Sequence, residues 1–128
     1  MPNFNTYASS MLFNDPYLVF SGGHDVTLNK TVARTLTIDL EDKGVVSWVE
    51  RGPMNFNRGF HQLVKYDSSG VYALGGQDEN GNCVSSTEFL DFSSGLWSVT
   101  NDMTLTVPRK KFCTVVHEQK LYIIGGQR

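Results

Sequence analysis

An all-β protein built from repeated units of four antiparallel strands is predicted by two observations on the sequence. A short apolar run that ends in two glycines occurs three times, at residues 18–23, 71–76 and 121–126. The glycine pairs recur at intervals of 75 − 22 = 53 and 125 − 75 = 50 residues, and strand-like runs separated by turn residues fill the intervals. A period of about 50 residues that is made of strands and turns is typical of a β-propeller blade.

The residues between the glycine pairs also recur in a fixed order. Trp48 precedes Met54 by 54 − 48 = 6 residues, Trp97 precedes Met103 by 103 − 97 = 6 residues, and an arginine follows each methionine. The order Gly-Gly, Trp, Met, Arg and Tyr-apolar-apolar-Gly-Gly closely resembles the kelch repeat, and the resemblance covers nearly the whole chain from about residue 7. The resemblance implies that the structural repeat positions are Gly22, Gly23, Gly75, Gly76, Gly125, Gly126, Tyr72, Tyr122, Trp48, Trp97, Met54, Met103, Arg58 and Arg109.

The first repeat is the most divergent of the three. Val19 stands where the other repeats have tyrosine, and Leu36 stands where the second repeat has Glu88. Neither Asn5 nor Thr6 supplies the arginine that the other repeats carry before their inner strands. We therefore expect a first blade that keeps the strand plan and differs in its polar contacts.

Four strands are predicted for the first blade, and their order follows from turn residues and alternation. Asp15-Pro16 indicates a turn, because proline fixes φ and removes a hydrogen-bond donor. Residues 33–40 alternate strictly, with Leu36, Ile38 and Leu40 on one face, which predicts a half-buried strand. The predicted strands are residues 1–13, 17–21, 33–40 and 45–49, with a polar loop at 24–32 and a turn at 41–44.

The second blade repeats this plan, and a third blade begins after Pro108. Hairpin turns are predicted at 67–70 and 93–95, where serine, aspartate and glycine cluster. The predicted strands are 60–66, 71–74, 87–92 and 96–99 in the second blade, and 112–117 and 121–124 in the third. The corresponding blade boundaries are residues 1–57, 58–107 and 108–128.

The resemblance implies that these two and a half repeats form a kelch-type β-propeller segment of four-stranded antiparallel blades, which is too short to close a full propeller alone. Propellers use about four to eight blades, so we expect the chain to be a fragment of a longer propeller; the alternative is assembly with other chains into a ring. An open array exposes a blade face and an unpaired strand edge, which favours self-association through the open blade edges.

Composition and charge exclude several classes of partner. The net charge of −2 and the sequence pI of about 5.8 argue against binding to nucleic acid or to an anionic membrane. The longest apolar runs have four or five residues, far below the roughly 20 that span a bilayer. The amino terminus lacks the features of a secretory signal, so a cytoplasmic location is predicted.

Cys83 and Cys113 are too few for a disulfide framework, and we expect them to be free thiols.

No catalytic or metal site is predicted. The glycine pairs lack the GxGxxG spacing and the helix of a phosphate-binding loop. His24, His61 and His117 occupy different repeat positions, so their imidazoles are not expected to converge on a metal. We therefore expect no cofactor, no metal and no enzymatic activity.

The resemblance implies a function in protein–protein interaction. In kelch propellers the loops that join one blade to the next and the loops after Gly-Gly share one face, which usually binds partners. On this sequence the candidate partner-binding residues are His24, Asp25, Asn29, Lys30, Asn55, Phe56, Asn57, Phe60, Gln77, Asp78, Glu79, Asn80, Lys110 and Lys111. The polar loops after the glycine pairs differ between repeats, as a variable binding surface on a fixed scaffold would.

The resemblance leaves the biological context open. It is compatible with a scaffold or adaptor module, including the substrate-recognition part of a cullin-type ubiquitin ligase adaptor. The alternatives are a fragment of a kelch-propeller enzyme, such as an oxidase or a sugar isomerase, and a truncated chain with no independent activity. The same resemblance implies that Arg58 and Arg109 begin the inner strands and form hydrogen bonds between blades.

Overall fold

The computed structural model describes residues 6–7, 10–41 and 47–128. Its regular elements are strands, apart from a short 3-10 turn at Asn101–Met103 between β11 and β12. In the described part of the chain, no helix is long and apolar enough to cross a membrane. The strands are β1 (Thr6–Tyr7), β2 (Ser10–Asn14), β3 (Tyr17–Ser21), β4 (His24–Asp25), β5 (Lys30–Thr31), β6 (Thr35–Asp39), β7 (Trp48–Arg51), β8 (Gln62–Asp67), β9 (Gly70–Leu74), β10 (Thr87–Asp91), β11 (Leu96–Thr100), β12 (Cys113–His117) and β13 (Lys120–Ile124).

The all-β prediction of four-stranded antiparallel blades is confirmed. One sheet has the order β2-β3-β6-β7 and the next has the order β8-β9-β10-β11, with every neighbouring pair antiparallel. β12 and β13 form a two-stranded sheet, and β1, β4 and β5 form a small sheet beside the first blade. Strands β2, β8 and β12 contact one another from sheet to sheet, so they are the inner strands of successive blades.

The predicted first strand over residues 1–13 is corrected by the structure. β1 pairs with β4, whereas β2 pairs with β3, so the described residues of this segment belong to two different sheets. Residues 1–5, 8 and 9 lie outside the described part of the chain. The turn at Asp15-Pro16 and the strand at residues 17–21 agree with the prediction.

Strand β6 is buried on both faces rather than on one. Leu36 and Ile38 are 7% and 5% exposed, and Thr35 and Thr37 on the opposite face are fully buried. The hydroxyl of Thr35 accepts a hydrogen bond of 2.9 Å from the indole nitrogen of Trp97 in the next blade, so a neighbouring sheet covers the threonine face. Leu40 lies beyond the strand and is exposed, which contradicts its predicted place on the buried face.

The outer strand of the first blade is described only from β7 onward. β7 begins at Trp48, whereas the predicted strand covered residues 45–49; residues 45 and 46 lie outside the described part. Trp48 is half-buried and its ring lies 5.0 Å from that of Phe20 in the same sheet. Trp97, at the same position of the second blade, is 7% exposed, because it packs against the first blade.

Two apolar layers hold the blades together. Burial of apolar surface between sheets is the main favourable term in such a stack. The layer between the first and second blades consists of Val19, Met54, Leu63, Val71, Ala73, Leu90, Phe92 and Trp97. The layer between the second and third consists of Val64, Leu74, Leu105 and Phe112, with Tyr72, Leu121 and Ile123 packed against it.

The glycine pairs form the junctions between blades. Gly22 and Gly75 have φ values of 62° and 60°, in the left-handed region that favours glycine. A Cβ atom on Gly75 would lie 2.8 Å from the carbonyl oxygen of Arg109, and one on Gly22 would overlap that of Arg58. In these two pairs the second glycine donates to the same carbonyl, at 2.8 Å for Gly23 and 2.9 Å for Gly76. The pair is therefore required by backbone conformation and by close approach of the next blade.

The assignment of Met103 as the counterpart of Met54 is wrong. Leu105 occupies that place: it is 8% exposed, it faces Gly75 as Met54 faces Gly22, and its amide donates to the matching loop carbonyl. Met103 lies in the 3-10 turn, where its carbonyl accepts a hydrogen bond of 2.7 Å from Thr87. The turn adds two residues between tryptophan and arginine, so equal spacing from the tryptophan misaligned the repeats.

Candidate functional site

A buried ion pair connects the linker after the first blade to the second blade. Arg58 and Glu88 have fully buried side chains, and the guanidinium donates to the carboxylate at 3.1 Å and 2.9 Å. Arg58 also donates to the carbonyls of Gly75 and Ser86 at 2.9 Å and 2.8 Å and to the Ser86 hydroxyl at 2.8 Å. Burial lowers the pKa of Arg58, and the charge of Glu88 opposes that effect.

The resemblance-based expectation for the arginines needs correction. Arg58 precedes β8, which begins at Gln62, and its side chain bonds within its own blade rather than between blades. Its backbone makes the contact between blades, because its amide donates to Val32 and its carbonyl accepts from Gly23. Arg109 repeats the in-blade bond, donating to the carbonyl of Gly125 at 3.1 Å.

Glu88 also fixes the conformation of the linker. Its carboxylate accepts from the amides of Asn55 and Phe56 at 2.5 Å and 3.3 Å and from the Asn55 side chain at 2.9 Å. One buried carboxylate therefore holds both Arg58 and the preceding linker turn. The guanidinium carbon of Arg58 lies 5.8 Å from the centroid of the Phe56 ring. Phe56 remains 46% exposed.

His61 is a buried structural histidine at the junction of the first two blades. Its Nε2 lies 2.8 Å from the hydroxyl of Ser21, which is also buried. Burial, aided by the nearby charge of Arg58, lowers the pKa of His61 to about 3, so the imidazole is neutral at physiological pH. The third repeat has Phe112 at this position, which is 2% exposed and packs on Leu74.

The linker and the loop after the second glycine pair meet at one end of the sheets. The side-chain amide of Asn57 donates to Glu79 at 2.9 Å, and the Asp78 carboxylate accepts from the amides of Asn80 and Asn82. Together they line an open cavity of about 260 Å³, which we call the acidic pocket: Asn55, Phe56, Asn57, Asp78, Glu79 and Asn80. All six are among the candidates predicted from the sequence.

Beside the acidic pocket lies a group that we call the inner strip, which consists of Phe60, Lys110 and Lys111. The ammonium of Lys111 lies 5.0 Å from the centroid of the Phe60 ring, and its amide donates to the Phe60 carbonyl at 3.0 Å. The ammonium of Lys110 donates to the side-chain carbonyl of Gln77, the residue before Asp78. The inner strip and the acidic pocket are therefore adjacent on the same surface.

A second cavity, of about 380 Å³, lies on the first-blade side of Asn57, which lines both cavities. Lys30 is the other predicted candidate in it, whereas most of its lining was not predicted. Arg34 and Glu50 there form an exposed ion pair at 2.7 Å. The remaining lining residues are Leu28, Thr31, Val32, Ala33, Arg51 and Pro53.

The other candidates on the first loop do not line either cavity. His24 and Asp25 form β4, and the imidazole of His24 lies 3.2 Å from the side-chain oxygen of Asn29. Asp25 accepts from the amide of Leu28 at 3.0 Å, which closes the β4–β5 turn. Thr31 connects this loop to the second blade by donating to the carbonyl of Asp78 at 3.3 Å.

Sequence reasoning missed the role of Glu88. A carboxylate next to Thr87 in an apolar strand was a usable signal, because a charge in such a run requires a partner when the strand is buried. Among the described residues, no group of three or more histidine, cysteine, aspartate or glutamate side chains could hold a metal ion. Cys83 is half-buried and Cys113 is exposed, and both are free.

The sheets, the glycine junctions and the loop surface define a segment of a kelch-type β-propeller. Comparison with known proteins finds relatives of the same class. The chain is 29% identical to alpha-scruin of Limulus polyphemus, over 98% of this chain and 14% of that protein. It is 26% identical to Kelch-like protein 36 of Bos taurus and 25% identical to its counterpart in Rattus norvegicus, in each case over 98% of this chain and 20% of the relative.

These relatives are kelch-repeat proteins, so the resemblance drawn from the glycine, tryptophan and arginine spacing is correct. The chain spans 14–20% of the length of the relatives named above. No protein-family model matches the chain.

Proposed function

We propose that the chain is a kelch-type protein-interaction module that binds a protein or a peptide on its loop face. The loop face comprises the linkers at residues 52–60 and 104–111 and the loops at residues 24–34 and 77–86. The observation that carries this proposal is a rigidly held surface with exposed aromatic rings. Glu88 and the Asn57–Glu79 hydrogen bond fix the linker, while Phe56 and Phe60 remain 46% and 43% exposed.

Exposed aromatic side chains beside charged groups are characteristic of protein-binding surfaces. Loops on a rigid scaffold change their sequence without loss of the fold, which suits them to recognition. We assign partner binding to the residues predicted from the sequence, with blade boundaries at 1–57, 58–107 and 108–128. Asn55–Asn57 and Asp78–Asn80 have the strongest support, because they line one pocket.

For the protein as a whole, we propose a scaffold or adaptor role without catalysis. The similarity to Kelch-like protein 36 and alpha-scruin supports a binding role. We further propose that the module recognises substrates for a cullin-type ubiquitin ligase and acts in the cytoplasm. Detection of a cullin in complexes of the full-length protein tests the first of these assignments.

Site-specific photo-crosslinking tests the binding face. A photoreactive phenylalanine analogue replaces Phe56 in one variant and Phe13 in a matched control, since these side chains are 46% and 51% exposed. Phe13 lies on β2 next to the turn at the opposite end of the sheets. We expect a crosslinked partner, identified by mass spectrometry and confirmed with purified protein, at Phe56 and not at Phe13. Equal crosslinking at both positions contradicts the proposal.

A further inference from the structure

Two neighbouring groups on the loop face, where the second and third blades meet, carry opposite charge. The inner strip has Lys110 and Lys111, which follow Arg109 in the sequence, whereas the acidic pocket has Asp78 and Glu79. Among the described residues, ion pairs join Arg34 to Glu50, Arg58 to Glu88 and His117 to Glu118, so none involves either group. Two adjacent groups of opposite sign thus have no charged partner among the described residues.

The backbone conformation of the inner strip points to a binding role for its side chains. Phe60 and Lys111 occupy the same repeat position and have φ values of 54° and 53°. Such a conformation disfavours bulky residues, and glycine would adopt it without strain. Reciprocal backbone bonds at the preceding residues, Gly59 with Gln77 at 2.9 Å and 2.7 Å and Lys110 with Gln127 at 2.9 Å and 2.8 Å, hold the conformation. Both side chains are exposed, so each repeat presents a different group at a fixed point.

Each group also has an exposed aromatic ring. Phe60 lies under the ammonium of Lys111 in the inner strip, and Phe56 lines the acidic pocket. An aromatic platform beside a charge is suited to a long side chain of opposite charge, because the ring packs on its apolar stem while the charges form a charge-assisted hydrogen bond. The inner strip therefore fits aspartate or glutamate, and the acidic pocket fits lysine or arginine.

We propose that the loop face at the second and third blades binds an extended peptide segment that carries both charges, with an acidic residue on the inner strip and a basic residue in the acidic pocket. Lys110 bonds to Gln77, the residue before Asp78, so the bound segment runs from the inner strip, beside the inner strands, outward to the acidic pocket. This inference rests on the proposed function and specifies the chemistry of the partner. It excludes partners that are recognised by acidic or by basic residues alone.

A random decapeptide library, selected on the complete 128-residue chain, tests the inference. We expect the enriched peptides to contain an acidic and a basic residue at a fixed separation and in a fixed order. The affinity of the best peptide is then measured for Lys111→Gln, Glu79→Gln and the control Lys120→Gln. Lys120 is exposed and lies at the turn between β12 and β13, at the opposite end of that sheet.

We expect about tenfold weaker binding for Lys111→Gln and for Glu79→Gln, and less than about a twofold change for Lys120→Gln. Glutamine at residue 79 keeps an oxygen for Asn57, so the loop retains its bond. A second peptide, in which an amide replaces the acidic residue, should bind the wild type and Lys111→Gln equally. Circular dichroism checks that the variants are folded.

The outcomes separate the two proposals. This inference is overturned if the enriched peptides lack opposite charges. It is also overturned if removal of a peptide charge does not change the effect of Lys111→Gln or Glu79→Gln on the affinity. In both cases the proposed interaction function still stands. The absence of any enriched peptide contradicts both the inference and the binding function on which it rests.

Discussion

Removal of the buried carboxylate of Glu88 should destabilise the chain more than any change to an exposed ion pair. In Glu88→Ala, the Arg58 guanidinium stays fully buried without a counter-charge, and the amides of Asn55 and Phe56 lose their acceptor. Removal of one partner of a buried ion pair costs about 3–5 kcal/mol. Because small domains are stable by about 5–15 kcal/mol in total, this is a large fraction of the free energy of unfolding.

Equilibrium unfolding in urea, followed by tryptophan fluorescence, measures the effect. A loss of about 4 kcal/mol at a urea dependence of about 2 kcal/mol per molar shifts the midpoint by about 2 M. The control is Glu50→Ala, which breaks the exposed ion pair with Arg34. The side chains of Arg34 and Glu50 are 42% and 57% exposed. Exposed pairs contribute about 0–1 kcal/mol, so the control midpoint should shift by less than about 0.5 M.

A paired variant distinguishes charge burial from loss of packing. Arg58→Met combined with Glu88→Leu replaces both charges by apolar side chains, and leucine is the residue at the matching place of the first repeat, Leu36. Such a replacement is often close to neutral, so the pair should be more stable than Glu88→Ala. The reasoning fails if Glu88→Ala costs less than about 1 kcal/mol, or if the paired variant is no more stable than Glu88→Ala.

Three further predictions concern the junctions and the open edge. Burial lowers the pKa of His61 to about 3, so between about pH 6.5 and pH 3 the unfolded chain binds a proton that the folded chain does not, and stability falls as the pH falls. From pH 7 to pH 5 the loss should be about 2 kcal/mol; His61→Phe should flatten this pH dependence in urea unfolding, and an unchanged dependence contradicts the assignment. Trp97→Ala should lower the free energy of unfolding by about 3–5 kcal/mol. Trp97→Phe should lower it clearly less, because an aromatic ring is retained although the hydrogen bond to Thr35 is lost. Equal losses in calorimetry would refute the packing role. Ile124 is 61% exposed on β13, so Ile124→Lys should reduce self-association in light scattering, and a wild type that is monomeric at high concentration contradicts the open-edge prediction.

The repeat and the blade architecture could be predicted because each depends on local requirements. At Gly22 and Gly75 the backbone has positive φ and the next blade approaches closely, so both positions require glycine. The tryptophan position was also predictable, since Trp97 fills the space between two sheets. The methionine position was not, because the 3-10 turn inserts two residues before Leu105 and only the packing reveals the shift.

Burial of polar residues was the main feature that sequence reasoning did not predict. Thr35 and Thr37 suggested an exposed face, but the neighbouring blade covers them and Trp97 supplies a donor. The partner of Arg58 was not predicted either, because Glu88 is 88 − 58 = 30 residues away and the contact depends on the sheet register. The loop candidates were selected by resemblance alone, and the charge separation between Lys111 and Glu79 required the structure.

Hydrogen–deuterium exchange of the chain with and without a bound peptide tests the central claim, that the loop face is the binding surface. The peptide is the tightest binder from the library selection, and the exchange of each segment is measured by mass spectrometry. The account predicts slower exchange at residues 52–60 and 77–82 on binding, with no change at the hairpin turns at 67–70 and 91–95 on the opposite end. Protection confined to those turns, or to the open edge of β13, would contradict it.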